Sequence, residues 1–348
     1  MSSPRYNQFK LAWLKESTFG VSAIAQATTP TYLPGVISEK LKLPSPKSSA
    51  KFGGIGVGTQ EPVSQYKEPF ELIGQMVVGV QNAVPLWWIL GKSVTTGPVS
   101  GIYTHTITPL SNAGGPIGWN PSFTFHHEAA GVDVTTKTVQ FVGCKFFGVL
   151  FGIAQFRSAL AGPVLLAKTD FVARKPIVCA WDLDTDPALP ATCNELPFKW
   201  GNTTVTWDKG GAGETVLAGL SRVMFQINYN LSPIITHWYD SGVWQGLYPY
   251  NFEEAAQKTY QLELAILPEN YDLLDRLLEA SSAKTVELKL VRTANEDEIT
   301  VTLSKADVFD HSLTHPLPTD ALEETCTLVA PNCSVTVKDK LPGAVYGE

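Results

Sequence analysis

The residues of this chain best suited to chemistry are a few histidines, some acidic clusters and one glycine-rich loop. His126-His127-Glu128 and the pair His311 and His315 are the histidine groupings. Neighbours on a strand point to opposite faces, so His126 and His127 cannot both ligate one metal without a bulge. An i, i+4 pair shares a face only on a helix, and Pro316 and Pro318 argue against a helix there. Both groupings therefore read as exposed or hydrogen-bonded histidines. Gly53-Gly-Ile-Gly-Val-Gly58 could cradle phosphate only by following a strand and opening a helix, so that backbone N–H groups face the anion. No helical pattern follows and no Gly-Lys-Ser/Thr lies within it. It reads as a flexible loop.

Carboxylates gather at Asp182 to Asp186 and at Glu296 to Glu298. Acid–base work needs two environments that push the two pKa values apart, and a polar linker supplies none. Trp181-Asp-Leu-Asp-Thr-Asp186 reads as a solvated turn, with weak Ca²⁺ binding as the alternative. The chain has no Gly-x-Ser-x-Gly elbow, and no cysteine carries a nucleophile signature. Trp87-Trp88 could stack a ligand but reads as core on a short helix. The aromatic loop Trp238-Tyr-Asp-Ser-Gly-Val-Trp244 could make contacts. The expectation is a protein without catalytic, cofactor-binding or metal-binding residues. It is not an enzyme.

Composition narrows the class further. Charged residues make up only 17% of the chain, against 28 glycines and 24 prolines, which favours strands joined by turns. A net charge of -7 argues against a general nucleic-acid binder, which needs a basic face. No run is long and apolar enough for a membrane span, and Met1-Ser-Ser-Pro-Arg-Tyr-Asn lacks a signal core. The five cysteines are odd in number and scattered, which predicts reduced thiols made in a cytoplasm.

Period-2 alternation dominates the elements that must position any site. Val223, Phe225, Ile227 and Tyr229 share one face against Gln226, Asn228 and Asn230. Tyr260 to Ile266, Val286 to Leu290 and Ile299 to Leu303 alternate likewise, with Asn295-Glu-Asp-Glu298 turning the chain. Residues 138–156 are apolar on both faces, which predicts a central strand or one buried against another subunit. Helices are expected at Asn82 to Leu90, with Pro85 near its start and Gly91 as C-cap, and at Leu267 to Ser282.

These elements recur in order. Strand 9–15, a long loop, strand 70–78, helix 82–90 and strands 102–108, 122–127 and 138–156 are matched by strand 222–230, a long loop, strand 259–266, helix 269–282 and strands 284–292, 298–305 and 324–329. The expected fold is mainly β: two tandem β-sandwich or barrel units, each with one flanking α-helix, plus long loops and arms. The first unit covers 1–170, a linker 171–197, the second unit 198–340 and a tail 341–348. Thr28 to Gln65 and Leu231 to Glu253 lack a core pattern, and in a self-assembling protein they would reach a neighbour.

Four segments carry a family resemblance. They are Trp13-Leu-Lys-Glu-Ser-Thr-Phe-Gly20, Leu90-Gly-Lys-Ser-Val-Thr-Thr-Gly97, Tyr103-Thr-His-Thr-Ile-Thr108 and Phe141-Val-Gly-Cys-Lys145. In order and spacing the chain resembles the tail tube (major tail) proteins of long-tailed bacteriophages, larger two-domain type, over most of residues 8 to 340. The resemblance implies a structural virion protein, assembled in the host bacterial cytoplasm, that stacks in rings to form a hollow tail through which DNA passes without sequence-specific binding. Its partners would be further copies of itself, in trimeric rings of pseudo-six-fold symmetry, and the tape-measure and tail terminator proteins. No membrane is involved. The wet faces of strands 138–156 and 259–266 are expected to line the lumen. The alternatives are another tail assembly component of similar fold and a β-sandwich carbohydrate-binding module.

Overall fold

The computed structural model describes residues 9–23, 31–32, 36–39, 50–52, 64–66, 72–110, 121–129, 138–153, 165–179, 197–199, 202–229, 231–234, 239–240, 243–244, 249–254, 258–267, 283–292, 297–314 and 323–347. Across these residues the protein is mainly β, with one α-helix. The first strands are β1 (Phe9–Lys15), β2 (Thr31–Tyr32), β3 (Val36–Glu39), β4 (Ala50–Phe52), β5 (Ser64–Tyr66) and β6 (Leu72–Gly79). Helix α1 (Val84–Leu90) leads into β7 (Gly91–Val99), β8 (Ile102–Pro109), β9 (Phe123–Ala129), β10 (Thr138–Ile153), β11 (Leu166–Ala173) and β12 (Lys175–Cys179). Then come β13 (Thr203–Trp207), β14 (Thr215–Val216), β15 (Leu220–Asn228), β16 (Leu231–Ile234), β17 (Tyr239–Asp240), β18 (Val243–Trp244) and β19 (Asn251–Glu254). The last strands are β20 (Thr259–Ile266), β21 (Lys284–Arg292), β22 (Asp297–Thr314), β23 (Glu323–Ala330) and β24 (Asn332–Asp339), before a 3-10 turn at Gly343–Tyr346.

Two long strands organise the sheets. The N-terminal part of β10 lies in an antiparallel sheet ordered β2-β1-β9-β10-β12. Its C-terminal part enters a central sheet ordered β3-β6-β11-β10-β15-β20-β23-β22, antiparallel throughout. The C-terminal part of β22 ends that sheet, and its N-terminal part belongs to a third, ordered β14-β13-β21-β22-β24-β8-β7. Each long strand changes sheets at bulges, where an extra residue kinks the strand and increases its twist. In β10 these lie between Phe141 and Cys144 and between Phe146 and Gly148. In β22 they lie between Leu303 and Ala306 and between Val308 and Asp310.

One hydrophobic cluster draws residues from all three sheets and from α1. The helix carries Pro85 in its first turn, donates its Val84 N–H to Asn82 Oδ1, and ends on left-handed Gly91, as the proline and glycine predict. Trp87 and Trp88 are fully buried and pack on Trp13, Phe123 and Phe146, Trp88 stacking on Phe146 at 4.8 Å. Gly74 of β6 has no substitute, because a Cβ there would sit 2.2 Å from the Phe171 ring.

Several expectations change. The stretch expected as linker, 171–197, is strand through Cys179 in β11 and β12, and 180–196 lie outside the described residues. The strand expected at 298–305 runs from Asp297 to Thr314; the bulge at Ser304 and Lys305 breaks the alternation and hides its continuation. Asp297 and Glu298 are paired strand residues, opposite Arg292 and Val291, not part of the turn. The helix expected at Leu267 to Ser282 falls, apart from Leu267, outside the described residues. Within Thr28 to Gln65, β2 joins β1, β3 joins β6, and β4 pairs with β5. Within Leu231 to Glu253, β16 pairs with β19 and β17 with β18.

Candidate functional site

The central sheet turns one face to the core and the other to solvent. Across the wet face, Gln75 of β6 donates to Asp170 of β11 at 2.7 Å and Gln226 of β15 donates to Asn228 at 2.9 Å. The cations there sit beside acids: Lys168 lies 3.9 Å from Asp170, and Arg222 lies 2.8 Å from Glu263. Ser221 donates to Glu323, while Asp310, Ser312, Thr325 and Thr327 line the β22 end. Among the described residues the face thus mixes amides, hydroxyls and apolar side chains such as Val77, Leu150 and Met224, with its two cations matched by acids. Strands 138–156 and 259–266, expected to share a function, both lie in this sheet as β10 and β20, separated by β15.

The pairing pattern around β10 recurs around β22. β10 is flanked by β9 and β12 in one sheet and by β11 in the other; β22 is flanked likewise by β21, β24 and β23. β11 pairs with β6 and β6 with β3, as β23 pairs with β20 and β20 with β15. β9 pairs with β1 and β1 with β2, as β21 pairs with β13 and β13 with β14. Trp13 and Trp207 then occupy matching places, each opposite a threonine of a two-residue strand, Thr31 and Thr215. The strand that matches β1 is therefore β13, and 222–230 (β15) matches β3 instead of 9–15. The hairpin β7–β8 extends the third sheet through the pairing of β8 with β24.

The segment Trp13 to Gly20 anchors a shoulder beside β10. The buried Glu16 carboxylate accepts bonds from Gly20 N, Ser122 Oγ, Thr124 Oγ1 and Gly143 N, at 2.7 to 2.8 Å. It thereby ties the β1 turn to β9 and to the first bulge of β10. Phe19 then stacks under Lys145 and the Arg174 guanidinium, 4.9 and 5.2 Å from its ring. The base of the β16–β19 hairpin rests there, with Phe252 edge-on to Phe19 at 6.2 Å.

The segment Tyr103 to Thr108 carries a constellation missed at the level of sequence. His105 bonds Thr95 Oγ1 at 2.7 Å through Nδ1 and Asp339 at 3.0 Å through Nε2. The order hydroxyl–imidazole–carboxylate matches a hydrolytic relay. However, His105 is fully buried, and Asp339 also accepts from Leu341 N–H and Tyr346 O–H at 2.8 Å. The Tyr346 hydroxyl is pushed well above its usual range, first by burial and then by the Asp339 charge. With the imidazole buried and the carboxylate shared among three donors, the set serves as a staple between the hairpin and the C-terminal turn. A small cavity of about 20 Å³ beyond Asp339, lined by Gln81, Arg292 and Asp297, has room for a single water.

His126 and His127 sit on β9, His126 fully buried and His127 half-buried, as alternation requires. His311 lies on β22, 2.8 Å from Glu324 on β23, and His315 falls outside the described residues, as do Gly53 to Gly58 and Asp182 to Asp186. Among the described residues no cluster of three His, Cys, Asp or Glu side chains could hold a metal, and no helix is long and apolar enough to cross a membrane. Cys144, Cys326 and Cys333 are free and buried. Compared with known proteins, the sequence matches no family model and no curated protein.

Proposed function

We propose that this chain is the subunit of a hollow tail tube of a long-tailed bacteriophage, built from two tandem copies of one β-sandwich unit. It assembles with further copies of itself into stacked rings and performs no catalysis. The observation that carries the reading is the recurrence of pairings and bulges around β10 and β22, with both sets side by side in one central sheet. A sheet that repeats sideways within one chain extends in the same direction when copies are added, and a heterologous contact that closes makes a ring.

The wet face of the central sheet would be the inner wall. Its amides, hydroxyls and acid-matched cations repel or ignore phosphate, so DNA slides without being held. The described residues contribute eight strands to this sheet. With strands about 4.8 Å apart and tilted about 40°, three chains would close a barrel about 48 Å across at the backbone, and two chains one of only about 32 Å. Side chains narrow both, and the three-chain barrel leaves room for a hydrated duplex. The β4–β5 and β16–β19 hairpins stand outside the three sheets and suit contacts between stacked rings, and the tape-measure and tail terminator proteins are the expected partners at the lumen and the tube end. Electron microscopy and mass measurement of the purified protein test this reading. Rings of three chains with a central hole, or tubes of them, are expected; a protein that stays a single chain, or a ring of six full chains, overturns it.

A further inference from the structure

Two strand pairings in different layers join the halves that recur around β10 and β22. In the central sheet β10 pairs with β15, from Gly148 opposite Asn228 to Ile153 opposite Val223. In the third sheet β8 pairs with β24, from Ile107 opposite Val335 to Tyr103 opposite Asp339. A joint within one sheet sets the angle across it only loosely, because neighbouring strands accept twists of about 10° to 35°. A second joint in another layer removes that freedom when the piece that carries it is stiff. The β7–β8 hairpin is stiff at its root. Gly91 both ends α1 and starts β7, and Leu110 N–H donates to the Leu90 carbonyl at 2.9 Å. The helix is in turn seated by Trp87 and Trp88, which are fully buried against Trp13, Phe123 and the Phe146 ring of β10.

We propose that the β7–β8 hairpin, with the helix that carries it, is a brace that fixes the angle between the two halves of the chain. The second half grips this helix at both ends. Arg292 Nη2 donates to the Gln81 carbonyl at 2.7 Å, just ahead of α1, and Lys258 Nζ donates to the Ile89 carbonyl at 3.3 Å, in its last turn. Arg292 is itself held by Asp297 at 2.7 Å and lies over the Phe198 ring at 4.4 Å. At the hairpin, His105 of β8 bonds Asp339 at the end of β24, and the Tyr346 ring lies 4.4 Å from the imidazole. Lys15 of β1 then donates to the Gly347 carbonyl at 3.2 Å. The arrangement is a triangle: one joint in the central sheet, one in the third, and α1 as the side that touches both. A wall built from this chain takes its curvature within each chain from the brace, and the seams between chains are left to adapt. This proposal rests on the two-unit reading and adds what sets the angle between the units.

Distances between spin labels on non-natural residues at Val178 of β12 and Val216 of β14, both exposed, test the brace in the full single chain. The wild type is expected to give one narrow distribution. A variant combining H105A and K258M is expected to give one about twofold wider, as the sheet joint alone would allow. Hydrogen exchange on the wild type is the second measurement, and it decides the matter should the variant not fold. The hydrogen-bonded amides of Tyr103 to Ile107 are expected to exchange within about tenfold of those of Val223 to Asn228. A folded variant that keeps the wild-type width, or a β8 that exchanges faster than that in the wild type, overturns the brace and leaves the two-unit reading standing. A ring of six full chains overturns the two-unit tube reading, while the label distances still report on the brace.

Discussion

Gly143 and Lys305 hold the same left-handed backbone, φ 67° and 57°, at matching bulges of β10 and β22. A lysine there carries a steric cost that glycine avoids, of about 1 kcal/mol. At Gly143 the cost of a side chain is larger, because a Cβ would lie 2.6 Å from the Arg174 Cβ. Gly143→Ala is expected to lower stability by about 2 to 3 kcal/mol, from strain and overpacking together. Lys305→Gly is expected to be neutral or to gain up to about 1 kcal/mol. Urea denaturation of both variants checks the pair.

Glu16 is the hub of the first shoulder. Removing its carboxylate leaves two backbone N–H groups and two hydroxyls in a buried site without their acceptor. Glu16→Ala is expected to cost about 3 kcal/mol or more, and Glu16→Gln less, since an amide oxygen still accepts. Thermal unfolding that shows both variants within about 0.5 kcal/mol of wild type would contradict the hub role.

His105, Asp339 and Tyr346 act as one staple, so their losses are not independent. His105→Ala is expected to cost about 2 kcal/mol and Tyr346→Phe about 1 kcal/mol, with the double variant costing less than the sum. A double-mutant cycle in denaturant measures the coupling. Faster proteolysis near the C-terminus in either single variant would show that the staple holds the chain end down.

Burial, the largest cause in each case, raises the Cys144 and Cys333 thiols and lifts Cys326 up to about 12. An unfolded thiol ionises near pH 8.5, so above that pH the unfolded chain releases protons that the folded chain keeps. The stability these groups contribute is complete below about pH 8.5 and declines as pH rises toward the folded value, by about 1.4 kcal/mol per pH unit for each thiol. Comparing denaturation at pH 8 and pH 10 for wild type and Cys326→Ala measures the share of one thiol; the variant is expected to lose less. At pH 8 the three thiols are expected to resist a thiol reagent until the protein unfolds.

Strands with one dry and one wet face were legible in the sequence, because alternation records them: β15, β20 and β21 lie within two residues of where the pattern puts them. Helix α1 was legible through its proline and glycine. β11 was obscured by Thr169, a hydroxyl on its dry face, and β12 by Pro176. β7 buries only Gly91, because it is the outer edge strand of its sheet, paired only with β8. The matching of Trp13 with Trp207 was hidden for another reason. The residues that define it are pairing partners from distant strands, and spacing along the chain does not report who pairs with whom. The His105 staple escaped notice on the same ground, since Asp339 comes from the other end of the chain.

The pairing of β10 with β15 happens inside one chain, and this has a kinetic consequence. A tethered edge meets its partner at an effective concentration on the order of millimolar, whatever the amount of protein present. In the proposed ring, half of the seams would then be formed during folding, independently of dilution. Only the remaining seams would depend on encounters between molecules, so the reaction order of ring closure would drop by half compared with an assembly of separate single units. A dilute pool of chains would thus nucleate the proposed ring at levels where unfused halves stay apart.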